Sequence, residues 1–363
     1  MINSSPAAIT SSIGGLLFGS TGCHLLNRWS AVRGVKNIPR SDVGPSKQTE
    51  ISLPLQFSND SARWISVTME FRCNLRCTHC MIEGTMSHLR PTEGDQFEAV
   101  LQAQRDEGRW IGIVLTGAEI TLRSDLPEIV MRARDAGFQR IRVQTHGMQL
   151  QRRAYLDRLI NAGVNEFFVS VTAASEARHD AITKVPGSWR RMRAGLDLIE
   201  THYPDVAIIT NTVITSESVM DLAGVVAAFA DHRTVVQHEF WNFFPMEETD
   251  RNSLCVPLAE VMPHLKAAIA AARAAGRLVE VKNVPECLFG DDRAVMINKQ
   301  PQLIIDDDFW IGFDRNGFHT CPHRAICDST ECLGLTTAYV RRFGDEAALL
   351  QPLSPATLPS EPQ

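Results

Sequence analysis

The sequence predicts an α/β fold built on a parallel sheet, and two observations carry this prediction. From Trp64 onwards, short apolar runs rich in β-formers alternate with helical segments of about ten to fifteen residues. The connections between these segments are short, which favours helices that cross over between parallel strands. A chain of 363 residues is long enough for one barrel-sized domain and a smaller appendage.

Six strands and five helices are predicted in order along the central part of the chain. The strands cover Trp64–Met69, Ile111–Leu115, Arg140–Gln144, Glu166–Val171, Val206–Val213 and Val235–Phe240. The helices cover Asp95–Glu107, Asp125–Asp135, Arg152–Asn161, Trp189–Thr201 and Ser218–Phe229. Each helix carries apolar residues three and four positions apart. Parallel α/β sheets and barrels place their sites at the C-terminal ends of the strands, so we look for chemistry there.

The two ends of the chain differ from this core, which we expect to span residues 61–245. Residues 1–60 are rich in Ser, Gly, Pro and Asn, and we expect a flexible leader. An Ala-rich helix over Leu258–Ala275 and a strand over Leu278–Val281 belong to an expected C-terminal cysteine-bearing region, residues 246–350. Residues 351–363 contain four prolines and are expected to be disordered.

Composition narrows the classes of function and the location. A net charge of −6 and a pI near 6.0 argue against nucleic-acid binding, and no apolar run is long enough to cross a membrane. Ser20–Cys23 resembles a lipoprotein cleavage site, but no Lys or Arg precedes the apolar segment Ile13–Gly19, so we expect a cytoplasmic protein. Nine cysteines, six of them in two tight groups, favour metal binding over disulfides.

The first cysteine group directly follows the first predicted strand. Cys73, Cys77 and Cys80 have the spacing C-x3-C-x2-C. Iron–sulfur clusters are normally held by four thiolates, so three would leave one iron open to an outside ligand, such as the amino and carboxylate groups of S-adenosylmethionine (SAM). The alternatives are three core cysteines or a zinc site, but zinc needs a fourth ligand and His79 lies too close to Cys80 for easy joint chelation.

This loop resembles the radical SAM superfamily, whose signature is C-x3-C-x-aromatic-C with His79 here at the aromatic position. The resemblance covers Trp64 to Phe244 and implies a partial (β/α)6 TIM-like barrel in which His79 contacts the SAM adenine. It also implies a [4Fe-4S] cluster, SAM, and an electron donor such as flavodoxin or ferredoxin. The activity it implies is reductive cleavage of SAM to methionine and a 5′-deoxyadenosyl radical, which abstracts a substrate hydrogen.

The segment after the second strand resembles the family's G-G-E-P motif. Here it reads Gly117, Ala118 and Glu119, and the resemblance implies that its backbone and carboxylate bind the SAM amino group. Gly117 would let the backbone approach the ligand closely. Ala118 and Ile120 stand where the family usually has Gly and Pro.

Three more residues are implied as SAM contacts by motifs at later strand ends. Thr145, before His146 and Gly147, resembles the T of the family's T-N-G, and Ser170 resembles the serine of its fourth-strand motif. These two hydroxyls would reach the SAM carboxylate or ribose, with ordinary polar strand ends as the alternative. Lys184 either approaches the SAM carboxylate or is simply solvated.

Polar residues at the sixth strand and a second cysteine group complete the candidate sites. His238 or Glu239 could face the substrate, or both could be satisfied polar groups of the core. A second cluster of cysteines near the C-terminus resembles the SPASM and twitch auxiliary-cluster extensions, with Asp314 to Cys321 as an expected Gly-led hairpin. Its members are Cys287, Cys321, Cys327 and Cys332, and we expect one further [4Fe-4S] cluster on them.

Two alternatives for this second group are a zinc site that uses His323 and thiols without a metal. Cys23 and Cys255 are expected to have no role in either cluster. By the resemblance of the tail, the leading hypothesis is an enzyme that modifies a peptide or protein. The second is an enzyme of small-molecule cofactor or natural-product biosynthesis. A non-catalytic iron–sulfur protein is a third, and the cysteine triplet together with Glu119 counts against it.

Overall fold

The fold is known from a computed structural model that describes residues 61–82, 88–319 and 321–354. Eight parallel strands form one curled sheet in the order β7-β6-β5-β4-β3-β2-β1-β8, with helices packed against it. This arrangement confirms the predicted α/β class and the partial TIM-like barrel. The expected leader, Cys23 and residues 355–363 of the expected disordered tail lie outside the described residues.

The sheet consists of β1 (Trp64–Thr68), β2 (Gly112–Thr116), β3 (Arg140–Thr145), β4 (Glu166–Ser170), β5 (Ala207–Ile214), β6 (Val235–Asn242), β7 (Leu278–Lys282) and β8 (Gln302–Ile304). The helices are α1 (Gly94–Glu107), α2 (Leu126–Asp135), α3 (Arg153–Ala162), α4 (Glu176–Thr183), α5 (Ser188–His202), α6 (Leu222–Ala228), α7 (Leu258–Ala274), α8 (Asp308–Asn316) and α9 (Thr337–Phe343). Short 3-10 helices cover Ser61–Arg63, Ile120–Leu122, Met148–Gln151, Val219–Asp221, Glu286–Leu288, Gly290–Val295 and Arg324–Ile326.

The sheet extends beyond the six predicted strands at both edges. β7 pairs in parallel with β6, and β8 pairs in parallel with β1, so the chain returns from one edge of the barrel to the other. β8 has only three residues, too few for a recognisable alternation of apolar and polar positions. Residue 245 is therefore not the end of the sheet, although the six-strand alternation ends there.

The two faces of the sheet have opposite characters. On one face Ile65, Val67, Ile113 and Leu115 are completely buried in a core shared with the helices. Side chains alternate along each strand, so the intervening residues point to the other side, which we call the inner face. In register across the inner face lie Ser170, Asn211, Glu239 and Glu280. The inner face is thus the polar side of the barrel.

The C-terminal region differs from the sequence prediction in its local structure. Instead of a hairpin, residues 308–316 form α8, which ends at Gly317. The following strand β9 (Phe318–His319) pairs antiparallel with the distant β10 (Leu335–Thr336). Order also continues into the expected disordered tail, since Asp328 N donates to Leu353 O at 2.9 Å. No helix in the described ranges is long and apolar enough to span a membrane.

Candidate functional site

The three cysteines of the first group lie on the loop after β1, at the C-terminal edge of the sheet. None of the eight cysteines in the described part of the chain forms a disulfide. Cys73 is exposed, yet the surrounding chain desolvates its thiol and raises its pKa to about 11, and the charges of Glu119 and Cys80 add to this. Cys77 and Cys80 are half-buried, and Cys80 N donates to Cys77 O at 3.1 Å. The thiols therefore share one short loop close to Glu119.

This loop is fixed to the C-terminal end of α4 by backbone hydrogen bonds. Arg76 N donates to Thr183 O at 3.1 Å, and Thr78 N donates to Ile182 O at 3.0 Å. Lys184 follows directly, exposed and with a φ of 58°, so it ends α4 in the left-handed conformation. The structure thus places Lys184 next to the residues that hold the cysteine loop.

Glu119 is completely buried and both of its carboxylate oxygens are occupied by the protein. Oε1 accepts hydrogen bonds from Thr121 N at 3.0 Å, Thr121 Oγ1 at 2.5 Å and Thr145 Oγ1 at 2.6 Å. Oε2 accepts from His146 N at 2.8 Å and lies 3.1 Å from His146 Nε2. The carboxylate therefore ties the loop after β2 to the loop after β3, and Thr145 is committed to this contact.

His146 extends this network to the cysteine loop. Its Nδ1 accepts from Met148 N at 3.2 Å, so the ring proton resides on Nε2, which donates to Asn74 Oδ1 at 2.7 Å. Burial lowers the pKa of His146, which keeps the ring neutral and suited to this donor role. Asn74 lies between Cys73 and Cys77, so one imidazole connects the cysteine loop with Glu119.

Position 117 requires a glycine for a structural reason that does not involve a ligand. A Cβ at this position would lie 2.1 Å from Glu70 O, and Ala118 N donates to the same oxygen at 2.7 Å. Glu70 in turn is paired with Arg72 at 2.5 Å; burial raises the pKa of its carboxyl, but the contacts with Arg72 outweigh burial and lower it. The space above Gly117 is thus filled by the chain that leads into the cysteine loop.

The remaining predicted SAM contacts lie around the same edge of the sheet. Ser170 is half-buried at the last position of β4. His79 is half-buried on the cysteine loop, and desolvation lowers its pKa to about 4. Both residues are therefore at the end of the barrel that carries the cysteines.

The two predicted substrate contacts point to opposite sides of the sheet. Glu239 is on the inner face, 3% exposed. His238 shares the helix-covered side with Phe240, where it lies 2.7 Å from Thr210 Oγ1, and burial together with the charge of Arg277 lowers its pKa to about 4. Of these two residues, therefore, only Glu239 lies on the inner face. His238 belongs to the core on the helix-covered side, away from a ligand in the barrel.

The four cysteines of the second group lie near enough for their charges to interact, although they are spread over the C-terminal region. Burial raises the pKa of Cys287 to about 11, and the charges of Cys332, Cys321 and Cys327 raise it further, as expected for neighbouring thiols. Cys332 N donates to Ser329 Oγ at 3.1 Å, and the Ser329 hydroxyl is bonded to the Glu286 carboxylate beside Cys287. His323 Nε2 instead lies 3.1 Å from Ala347 O.

The donor sets of both groups fit iron–sulfur clusters in kind and number. Three thiols on one loop can hold three irons, and four thiols can close a second cluster. Among the described residues, no group of three or more Cys, His, Asp or Glu side chains is so placed that it could hold a metal ion. The raised thiol pKa values mean that binding a metal would release protons, which couples assembly of each site to its metal.

Several residues at this end of the barrel are not evident from sequence. Asn74 and Thr121 complete the Glu119 network. Asn211 and Glu280 flank Glu239 on the inner face. Two signals for these residues were available in the sequence: Asn211 is a polar residue between two threonines, and Glu280 is an acid within the predicted strand Leu278–Val281. The alternation of side chains along a strand does not by itself reveal which face of the sheet is the inner one.

A parallel partial barrel with a C-x3-C-x2-C loop at the C-terminal edge of β1 defines a class of SAM-dependent iron–sulfur proteins. Residues 68–226 match the model of the Radical SAM superfamily. The match covers less than half of the chain and shows a Radical SAM domain in that part, and the similar proteins of this superfamily are enzymes. The match implies a [4Fe-4S] cluster, SAM and a source of electrons.

Curated relatives with stated activities match parts of the chain. The 7,8-dihydro-6-hydroxymethylpterin dimethyltransferase of Methanocaldococcus jannaschii is 32% identical over 107 residues, which are 29% of this chain and 21% of that protein. The AdoMet-dependent heme synthase of Methanosarcina barkeri is 27% identical over 189 residues, 50% of this chain and 51% of that protein. The chain thus spans about half or less of the length of these relatives.

Among solved structures, the chain is similar to Streptococcus suis SuiB bound to the precursor peptide SuiA. The TM-score is 0.50 with 12% identity, and the match covers 73% of this chain and 61% of that one. At this identity the likeness concerns the fold.

Proposed function

We propose that this protein is a radical SAM enzyme that reductively cleaves SAM and uses the resulting 5′-deoxyadenosyl radical to abstract a hydrogen atom from its substrate. The observation that carries the proposal is the loop with Cys73, Cys77 and Cys80, held beside the buried Glu119 network at the C-terminal edge of a radical SAM barrel. The bound cluster and SAM supply the radical chemistry. The protein supplies the three thiolates and the walls of the site.

The residues around the loop have positioning roles in this proposal. Asn74 and His146 hold the cysteine loop against the loops after β2 and β3, and α4 supports it from the other side. The backbone at Gly117 and Ala118, the ring of His79, and the side chains of Ser170 and Lys184 surround the place where SAM would bind. Glu119 and Thr145 act mainly by shaping this place, because their polar atoms are already engaged with one another.

We further propose a second [4Fe-4S] cluster on the four C-terminal cysteines. The mutual proximity of these thiols and the hydrogen bond from Cys332 N to Ser329 support it. A zinc site that uses His323 is less well supported, because the Nε2 of that residue lies within hydrogen-bond distance of the Ala347 carbonyl.

For the substrate, we propose a peptide or protein, on the resemblance of the C-terminal cysteine group to SPASM and twitch extensions. A small molecule is the second candidate, favoured by the relatives whose names state pterin and haem chemistry. The test measures 5′-deoxyadenosine formation in the presence of short synthetic peptides, of pterins and of porphyrins. Stimulation by peptides with a new mass on the peptide supports the first candidate. Stimulation by pterins or porphyrins alone replaces it with the second.

A spectroscopic experiment tests the SAM site itself. In the dithionite-reduced protein, SAM should change the EPR signal of the cluster on Cys73, Cys77 and Cys80, because this cluster has one iron without a protein thiolate. An unchanged spectrum at saturating SAM would contradict the assignment.

A further inference from the structure

Four residues of the inner face form one row across neighbouring strands. Ser170 is the register partner of Asn211, Asn211 of Glu239, and Glu239 of Glu280. Adjacent strands lie about 4.8 Å apart, so each member of the row is a direct neighbour of the next. Because Ser170 stands at the proposed SAM site, the row leads from that site across the barrel.

Glu239 is a buried acid that is held by neutral donors. Its Oε1 accepts from Gln237 Nε2 at 2.9 Å and its Oε2 from Trp241 Nε1 at 2.7 Å. Within the described part of the chain it forms no ion pair, and it is 3% exposed. A buried carboxylate without a cation is costly, so this position favours a positively charged partner.

Glu280, the neighbour of Glu239, is a second acid whose negative charge is only partly balanced by nearby cations. Burial raises the pKa of Glu280 and the negative charge of Glu239 raises it further, and the charges of Lys282 and Arg142 and a hydrogen bond from Gln237 offset only part of this rise. Lys282 Nζ lies 3.6 Å from Glu280 Oε2, beyond hydrogen-bond distance, and donates instead to the backbone oxygens of Ile297 at 2.9 Å and Lys299 at 3.4 Å. The nearest lysine is therefore only partly available to the two acids.

The other cation near this part of the inner face is already committed. Arg142 donates from Nε at 3.0 Å and from Nη2 at 2.9 Å to Glu166 Oε2. Its guanidinium also stacks on the ring of Trp64 at 4.5 Å. Arg142 is thus anchored on the side of β1 and β3, and among the described residues Glu239 keeps two neutral donors.

On the other side of Glu239, Asn211 presents an unused donor. Asn211 is 7% exposed, and in the described structure its Nδ2 is buried without a hydrogen-bond partner. Buried polar groups are nearly always paired, so an orphan amide next to an acid marks a place where a ligand group completes the bonding. Within the part of the chain that the structure describes, Glu239 therefore has no ion-pair partner and Asn211 Nδ2 has no acceptor.

We propose that Asn211, Glu239 and Glu280 form the substrate-recognition site, and that they bind a substrate group in which a positively charged nitrogen lies next to a hydrogen-bond acceptor. The assignment rests on the proposed function, since it places this group beside the SAM site. An ammonium or guanidinium would bridge the two acids, and the acceptor would meet Asn211 Nδ2. Lys282 Nζ already lies 5.8 Å from the centroid of the half-buried Trp241 ring, so the indole beside the acids is a surface that accepts a cation.

The Trp241 indole offers a direct readout, because its N–H is bonded to the Glu239 carboxylate. The experiment titrates the anaerobic holoprotein, labelled with ¹⁵N-tryptophan, with the Nα-acetyl amides of L-arginine, L-lysine and L-citrulline; the Trp241→Phe variant assigns the signal. The arginine or the lysine amide should shift the Trp241 indole signal in a saturable way. Because the α-amino group is blocked in all three probes, the citrulline amide has the shape of the arginine amide without any charge, and it should give no shift at the same concentrations.

Variants separate this site from a general effect of the probes. Glu239→Gln keeps the shape of the side chain but removes the charge, and it should weaken binding of the responding amino acid about tenfold or more. Glu280→Gln is a second variant with the same expected direction. Glu260→Gln on the exposed face of α7 is the matched control and should bind as the wild type does. A Gly-Arg-Gly peptide with blocked ends shows whether a peptide binds more tightly than the blocked single amino acid.

Several results would overturn the proposal. No shift with either cation would do so, as would an equal shift with the citrulline amide. An unaltered response in both glutamate variants would also overturn it, because the cation would then bind elsewhere. Formation of 5′-deoxyadenosine by the wild type is measured separately. If the wild type forms 5′-deoxyadenosine but binds no cation, the recognition site is wrong and the proposed function stands. If it binds cations but does not cleave SAM, the recognition site stands and the proposed function is wrong.

Discussion

The imidazole Nε2 of His146 lies 2.7 Å from Asn74 Oδ1, across 72 positions of sequence. Through this bond the loop that carries the cysteines is held by the loop after β3, and through Glu119 by the loop after β2. A cluster loop anchored by this bond and by the backbone of α4 loses little freedom when it binds metal, which favours a fixed geometry at the site.

His146→Ala should therefore loosen the cysteine loop and speed the loss of iron to a chelator. Asn74→Ala should have a similar effect, and the double variant should be little worse than either single one, since both remove the same hydrogen bond. The coupling free energy should be about 1 kcal/mol, typical of one hydrogen bond. The measurement is the rate of cluster bleaching with excess chelator. Additive effects of the two substitutions would show that the bond does not hold the loop.

Glu119→Ala should destabilise the fold as well as the SAM site. It leaves the donors on Thr121, Thr145 and His146 without their buried acceptor, and such losses cost about 1–3 kcal/mol for each unsatisfied group. We expect a clear fall in the urea midpoint and weaker SAM binding in the same variant. Glu128→Ala on the exposed surface of α2 is the matched control. A wild-type midpoint in Glu119→Ala would contradict the observed network.

The stability should fall with acidification from about pH 6.5 towards pH 4. Burial lowers the folded-state pKa of His238 to about 4, below its ordinary value of about 6.5, so the unfolded state binds a proton that the folded state does not. The contribution is present above pH 6.5 and is lost as the pH falls towards 4. In a plot of the free energy of unfolding against pH, His238→Gln should reduce the slope between pH 4 and pH 6.5 by about 1.4 kcal/mol per pH unit. Urea titrations at several pH values measure it, with His202→Gln, at an exposed position, as the control. An unchanged slope in His238→Gln would contradict the buried, neutral state.

If the four C-terminal cysteines hold a second cluster, the protein should contain about eight irons, and the variant without Cys73, Cys77 and Cys80 should keep about four. Because four thiolates would close this cluster, SAM should not change its EPR signal in that variant. Iron and zinc analysis together with EPR decides the matter. One zinc and no residual iron would replace the second cluster with a zinc site.

Much of this architecture follows from local patterns in the sequence. The alternation of β-rich runs with apolar periods of three and four predicts the first six strands and five of the helices between them, but not α4. The spacing of Cys73, Cys77 and Cys80 identifies the cluster loop. Strand β8 escapes such patterns, because three residues paired with β1 carry no period. α8 escapes because Asp314 to Gly317 has the composition of a turn, although it is the C-terminal end of a helix in the structure.

The polar contacts of the site depend on tertiary pairing instead. The bond between Asn74 and His146 and the row from Ser170 to Glu280 arise from loops and registers that no single segment encodes. The opposite orientations of His238 and Glu239 can be assigned to the core and to the inner face only when it is known which face the helices cover. Sequence thus predicts which strand ends carry chemistry, and only the register shows which side chains meet.

The central claim is tested most directly by the fate of SAM. Protein reconstituted anaerobically with iron and sulfide, then given dithionite and SAM, should produce 5′-deoxyadenosine, detected by liquid chromatography and mass spectrometry. The variant Cys73→Ala, Cys77→Ala, Cys80→Ala should produce none above background. Equal amounts of product from the wild type and this variant, or none from either, would contradict the assignment of radical SAM chemistry to the loop after β1.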